Sequence, residues 1–336
     1  MTSNGNDGGD GNNGNSRDGD TSAPLAVKEH ARLVNDELEA RMPLGEMSIH
    51  RAAEHLLTAG GKRLRPALLL LVAESLGRDP EDTLPPALSI EITHSFTLIH
   101  DDVMDDDPLR RGAPSVHEKW DVPTAILTGD YLYSKAFEIA LETDASEPKL
   151  NRVMEMLSAT CTRICEGQAL DVELSDADTV SEAEYIRMVE LKTGVLFAAA
   201  TGIGALVAGS DAYDEAYDYG LKIGKAFQIQ DDVLDLVAES DDLGKTRASD
   251  LFEGKNTLVT IHARSQGVDT SLPRDATDEE VDAKVNEIRE AGSIEYAREH
   301  ARKLVKEGKQ DLTALPEGEA RTALEELADY LVGRTY

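Results

Sequence analysis

Apolar residues recur at the helical spacing i, i+3, i+4 and i+7 through nearly the whole chain, and no stretch sustains the alternation of a half-buried strand. The pattern holds over residues 25–41, 48–59, 66–76, 84–106, 122–143, 149–172, 181–208, 211–238 and most of 277–332. Turns punctuate it at Gly60-Gly61, Gly77, Pro85-Pro86, Pro108, Pro114, Pro148 and Asp241 to Gly244. Aromatic residues make up only 4%, and turn-bounded runs of Val and Ile are missing. One all-α domain is therefore expected from residue 24 to residue 336, with no linker inside it. Its last 70 residues read as amphipathic helix without a chemical motif. No short repeat of fixed period recurs, which argues against a solenoid.

Residues 1–23 are the exception. They are mostly Gly, Asn, Asp and Ser, with nothing to bury, and read as a disordered acidic tail. The segment lacks the apolar region of a signal peptide. The net charge of −31, from 65 acidic against 34 basic residues, excludes a nucleic-acid partner and an anionic membrane surface. Self-repulsion of that size is screened at molar salt, where the Debye length is about 3 Å. A high-salt cytoplasm, as in halophilic microbes, is the expected location. Cys161 and Cys165 are the only cysteines and read as buried thiols of one helix. The longest apolar stretch, Val195 to Gly209, falls short of the roughly 20 residues of a membrane span and reads as a closely packed core helix.

Within this helical frame, Asp-Asp-Val-Met-Asp at 101–105 returns as Asp-Asp-Val-Leu-Asp at 231–235. In a helix, positions i and i+4 share a face, so Asp101 projects with Asp105 and Asp231 with Asp235. Like charges so placed repel, and a cation held between them removes the repulsion. Each motif ends a long, largely uncharged helix, and interior carboxylates are costly unless paired or metal-bound. Carboxylate oxygens suit Mg²⁺, which bridges one or two carboxylates to substrate phosphates. The competing reading is two solvated acidic patches in an acid-rich chain.

Bases are scarce, so their clusters carry information. Gly60-Gly61-Lys62-Arg63-Leu64-Arg65-Pro66 places three cations after a glycine turn. Arg110-Arg111-Gly112 follows the first Asp motif, Lys245 and Lys255 each follow a glycine after the second, and Lys192 precedes Thr193. Singly, each reads as a surface charge. Together they point to phosphate groups bound opposite the acidic clusters. His94 lies two turns before Asp101 on the same face. Gln168 and Asp171, with Gly167, lower helix propensity in a helical stretch, a weak sign of a site.

From Gly60 to Leu258 these segments, in this order, resemble the trans-polyprenyl diphosphate synthases, which make farnesyl and geranylgeranyl diphosphates. The match also includes Gly167-Gln168-x-x-Asp171 and Phe227-Gln228-x-Gln230-Asp231-Asp232-x-x-Asp235. The resemblance implies a bundle of long, mostly antiparallel helices around a deep cavity, in a homodimer. It implies three Mg²⁺ ions, with Asp101, Asp105 and Asp231 as principal ligands; Asp102 and Asp235 are direct ligands or hold coordinated water. Arg110, Lys192 and Lys255 would contact the allylic diphosphate, with Lys245 beside them. Thr193 and Gln228 would face the allylic carbocation. Isopentenyl diphosphate would bind through Lys62, Arg65, His94 and Arg111, and its double bond would attack the cation.

Product length should follow cavity depth, because an isoprene unit is about as long as the 5.4 Å helical turn. Ideal rotation puts Thr97 near the Asp101 face and leaves Phe96 to one side. An aromatic residue five positions before the first Asp resembles the archaeal geranylgeranyl type, so Phe96 and Thr97 are the expected chain-length residues. The chain departs from the family at Asn256, where a second Lys usually follows Lys255. A class I terpene cyclase shares the first motif but usually carries Asn, Ser or Thr with Glu in its second. A non-catalytic synthase subunit tends to lose one Asp motif, and both are present here.

Overall fold

The computed structural model describes residues 23–175, 177, 179–237, 247–273 and 275–333. The acidic segment through Ser22 and residues 238–246, Lys245 among them, lie outside the described residues.

Two helices, α1 (Leu25–Ala40) and α2 (Ser48–Thr58), lead into the core helix α3 (Leu64–Ser75). The long helix α4 (Leu84–Met104) follows and carries the first Asp motif at its C-terminal end. A short helix α5 (Val116–Lys119) precedes α6 (Val122–Ala140), which packs along α4. Next come α7 (Glu147–Ser175), α8 (Glu182–Val189), a π turn at Glu190–Gly194 and α9 (Val195–Ala208). The helix α10 (Tyr213–Val237) carries the second Asp motif in its last two turns. Beyond it lie α11 (Ser249–Phe252), α12 (Leu258–Ser265), α13 (Asp278–Glu290), α14 (Ser293–Asp311) and α15 (Glu319–Gly333).

Hydrophobicity on all sides explains which helices are central. Every residue of α9 from Val195 to Val207 is buried, as an evenly apolar helix requires. It packs against α3, α7 and α10. The stretch Glu182–Ala208 is long and apolar enough to cross a membrane, yet 89% of its apolar window is buried inside the protein. The core divides around α3 and α9. Leu68, Leu71, Phe197 and Tyr219 face the C-terminal helices, whereas Leu69, Leu70, Ile99 and Ile203 face α4, α6 and α7.

Two features depart from the sequence reading. Leu109–Arg110 (β1) pairs antiparallel with Ala113–Pro114 (β2). Arg111 and Gly112 turn this ladder with positive φ values of 54° and 74°, the two-residue turn that suits strand twist. Two-residue strands are too short to leave a periodic signal. Cys165 is exposed, whereas Cys161 is buried. The buried stripe of α7 runs through Val153, Leu157, Thr160, Ile164 and Gly167, and Cys165 lies about 100° of rotation from Ile164.

Candidate active site

Lys192 joins the two halves of the site. It projects from the π turn, and its Nζ lies 2.5 Å from Asp171 on α7. Its charge also acts on Asp101 and Asp105 at the end of α4. Gly167 makes this approach possible, because a Cβ there would sit 2.3 Å from the Lys192 backbone nitrogen. The helix-weakening glycine of α7 thus has a packing reason. π turns commonly mark functional positions, since the extra residue re-aims its neighbours.

Lys255 approaches from the segment after α11. Its ammonium lies 2.7 Å from Glu253 and 3.5 Å from Asp250, and its charge acts on Asp105 across the cleft. A cavity of about 120 Å³ is lined by Asp171, Lys192, Gln228, Asp232, Lys255 and Asn256, among others. The π turn, the end of α10 and the Gly254-Lys255 segment meet at this cavity, and the charges of Lys192 and Lys255 reach the first motif from it. Asp231 belongs to the same field, for its charge acts on Arg65.

The aspartates differ in environment. Burial pushes the Asp101 carboxyl up to about 6, against the opposing pull of Lys192. Partial desolvation raises Asp105 as well. Asp102 is buried, and its carboxylate accepts hydrogen bonds from the Arg110 guanidinium, one of them from Nε at 2.7 Å. Arg110 also donates to Asp107 at 3.1 Å. Asp235 accepts from the Ser249 hydroxyl at 2.6 Å and the Asp250 N–H at 3.1 Å, tying α10 to α11. Among the described residues no three His, Cys, Asp or Glu side chains form a ready-made metal cage. Paired hard oxygens at an open cleft instead suit a cation that keeps waters and completes its shell with substrate phosphates. Burial is the main cause of the raised Asp101 pKa, and a cation bound there would offset it.

On the other side of α4, the glycine turn and the β1–β2 turn meet. Arg111 donates to the Gly60 carbonyl. A Cβ on Gly61, where φ is +139°, would lie 2.8 Å from the Arg111 guanidinium carbon. The second glycine thus makes room for the Arg111 guanidinium. Arg65 stacks over the Phe197 ring, 4.5 Å from its centroid, and burial lowers its pKa to about 10. His94 is held well below its ordinary pKa by burial and by the nearby charges of Arg65, Arg111, Arg110 and Arg63. It is a neutral imidazole in an arginine-rich pocket. Lys62 stands exposed at the rim.

Thr193 and Gln228 are linked, the threonine hydroxyl donating to the Gln228 carbonyl oxygen at 3.0 Å. Phe96 is buried against α6, its ring edge-on to Tyr133 at 5.2 Å. Thr97 donates its hydroxyl to the His94 carbonyl at 2.8 Å. The sequence reading missed Arg63, Glu91, Tyr185, Asp232 and Asp250, all of which support the residues above. Glu91 left a signal, as a lone acid in an apolar helix. Tyr185 left none.

Comparisons with known proteins bear on the family and the fold. The polyprenyl synthetase family profile matches residues 46–292. Geranylfarnesyl diphosphate synthase of Natronomonas pharaonis is 49% identical over 332 residues, covering 93% of this chain and 97% of that protein. The solved geranylgeranyl pyrophosphate synthetase of Geoglobus acetivorans superposes with a TM-score of 0.86 at 41% identity, covering 92% of this chain and 99% of that one. A Caulobacter crescentus polyprenyl synthase, solved with calcium and isoprenyl diphosphate, superposes at 0.80 with 34% identity, over 92% of this chain and 94% of its own. Sequence, fold and site geometry agree that this chain belongs to the polyprenyl synthetase family.

Proposed function

We propose that the protein condenses isopentenyl diphosphate head-to-tail with an allylic diphosphate (dimethylallyl, geranyl or farnesyl) to give linear all-trans geranylgeranyl diphosphate. The observation that carries this reading is Lys192 poised among Asp101, Asp105 and Asp171, with Lys255 facing Asp105. The family binds diphosphate through divalent metal. Asp101, Asp105 and Asp231, with Asp102 and Asp235 directly or through water, would hold three Mg²⁺ ions. When bound, they supply Lewis-acid charge to the leaving diphosphate.

The chain's own residues do the rest. Arg110, Lys192 and Lys255, with Lys245, hold the allylic diphosphate and stabilise the charge it takes on as its C–O bond breaks. Thr193 and Gln228 turn dipoles rather than nucleophiles toward the allylic cation. Lys62, Arg65, His94 and Arg111 hold isopentenyl diphosphate, whose double bond forms the new C–C bond. A proton then leaves to the released diphosphate. Phe96 and Thr97 limit the growing chain.

Residues 24–336 act as one synthase domain in the cytoplasm. The exposed apolar side chains Val122, Ile126, Leu127 and Tyr133 of α6 support a homodimer. Light scattering after size exclusion tests this, and a monomer at micromolar concentration would overturn it. The decisive assay supplies isopentenyl diphosphate, each allylic primer and Mg²⁺ at high salt, with products resolved by chromatography. A twenty-carbon linear product supports the proposal; cyclic hydrocarbon, or no condensation, overturns it. The Natronomonas relative favours a second reading, a twenty-five-carbon product.

A further inference from the structure

Glu91 is the least expected charge in the protein. It lies in the middle of α4, 2% exposed, among apolar neighbours. Three arginines surround it. Arg63, itself 4% exposed, donates from Nη1 to Glu91 Oε1. The Arg111 guanidinium lies 4.0 Å from the same oxygen. Glu91 is also the leading counter-charge felt by the buried Arg65 guanidinium.

These arginines are not equivalent. Every Arg63 nitrogen is engaged: besides the Nη1 bond to Glu91, Nε donates to Asn35 of α1 at 2.9 Å and Nη2 to the Leu57 carbonyl. Its backbone sits in the left-handed region, φ 46°, which turns its side chain inward while Lys62 stays outside. Arg65 is unsaturated. Its Nε is buried and has no hydrogen-bond partner among the described residues. A buried guanidinium N–H without an acceptor is costly, and an anion placed beside it would relieve that cost. His94, one turn beyond Glu91 on the same helix, lies in the field of the same arginines.

We infer that Glu91 is a positioning residue for the homoallylic diphosphate. The inference rests on the proposed placement of isopentenyl diphosphate at Arg65, His94 and Arg111. Arg65 and Arg111 repel each other, and Glu91 is the largest counter-charge for both, ahead of Asp231 at Arg65 and Asp102 at Arg111. With the carboxylate behind them, the two guanidiniums stay close in the free enzyme and present their donors to one anion. This preorganisation lowers the cost of binding. Arg63, itself anchored by Asn35, holds the carboxylate in place from the far side. A buried ion pair by itself adds little stability compared with an apolar pair of similar volume, so stability alone does not account for it.

The test compares Glu91→Gln, the double variant Arg63→Met/Glu91→Leu, and Arg65→Ala. Calorimetric titration with isopentenyl diphosphate alone gives Kd, steady-state rates give KM for both substrates, and thermal unfolding gives Tm. Glu91→Gln should raise Kd and KM for isopentenyl diphosphate roughly tenfold while KM for the allylic primer stays within about twofold. The double variant should recover Tm but not the affinity. If it recovers both, or if Glu91→Gln leaves the affinity unchanged while Arg65→Ala weakens it, the positioning role is overturned. If Arg65→Ala also leaves it unchanged, the homoallylic site itself is misplaced.

Discussion

The Tyr185 hydroxyl donates to Asp232 at 2.5 Å, in the wall of the active-site cavity that both residues line. The other Asp232 oxygen accepts from the Gln228 amide at 2.9 Å. That bond fixes which end of the amide faces Thr193, so donation runs from Thr193 through Gln228 to Asp232 and meets, on the other Asp232 oxygen, the bond from Tyr185. Asp232 is the motif's one aspartate that faces inward, and burial holds its pKa well above the carboxylate range.

Tyr185→Phe should therefore slow catalysis without weakening substrate binding. Removing the hydroxyl leaves Asp232 one donor short and loosens the carboxyl that orients the Gln228 amide. We expect kcat to fall roughly tenfold with both KM values within about twofold. Steady-state kinetics check this, and a change confined to KM would contradict it.

Metal should stabilise the protein more at neutral than at acid pH. Burial raises the Asp101 pKa from 3.8 to about 6. The protonated carboxyl stabilises the metal-free fold fully below about 3.8, the unfolded value, and that contribution is lost as pH rises through about 6. Above that window the uncompensated carboxylate is a liability that Mg²⁺ relieves. The Mg²⁺-induced rise in Tm should be larger at pH 7.5 than at pH 5, and Asp101→Asn should flatten the difference. Scanning calorimetry with and without Mg²⁺ measures both.

Phe96→Ala should lengthen the product by one or two isoprene units. The ring fills space between α4 and α6 against Tyr133, and its loss leaves a cavity that a prenyl tail can enter. The stability cost should be about 3–5 kcal/mol, so the variant is assayed well below its Tm. Chromatography of the dephosphorylated products gives the chain length.

Asn256→Ala should loosen the segment that carries Lys255. The Asn256 amide donates to the Leu174 carbonyl at 2.8 Å, and its oxygen accepts from Arg264. The side chain thus ties this segment to the end of α7, which also bears Asp171. Losing it should raise KM for the allylic substrate severalfold and lower stability by about 1 kcal/mol. KM for isopentenyl diphosphate should hold.

Salt should stabilise the fold. A net charge of −31 makes self-repulsion large at low ionic strength. Tm should rise between low and molar KCl, and a Tm that falls over that range would remove the case for a high-salt cytoplasm.

Much of the site was legible because its parts are local. The Asp101–Asp105 and Asp231–Asp235 spacings, the helices that carry them and the cations beside them depend on helical periodicity alone. What stayed hidden depends on contacts distant in sequence. Glu91 and Arg63 are 28 residues apart, and Tyr185 and Asp232 are 47 apart. Neither pair shares a local pattern that would match them. The exposed Cys165 and the β1–β2 ladder were misread for the opposite reason, since each is too small a departure to register in a periodic signal.

The sequence by itself determined the helices, the central place of α9 and the two carboxylate motifs, because periodicity and residue chemistry act within a few turns of chain. Tertiary structure alone decided which charges answer which. Arg63 became a buried strut while Lys62 stayed at the rim, and Arg110 paired with Asp102. Asp232 turned inward while Asp231 faced Arg65. Neighbours in sequence differ by about 100° of helix rotation or by one left-handed residue. Which of two adjacent charges meets the ligand is set by what packs behind it.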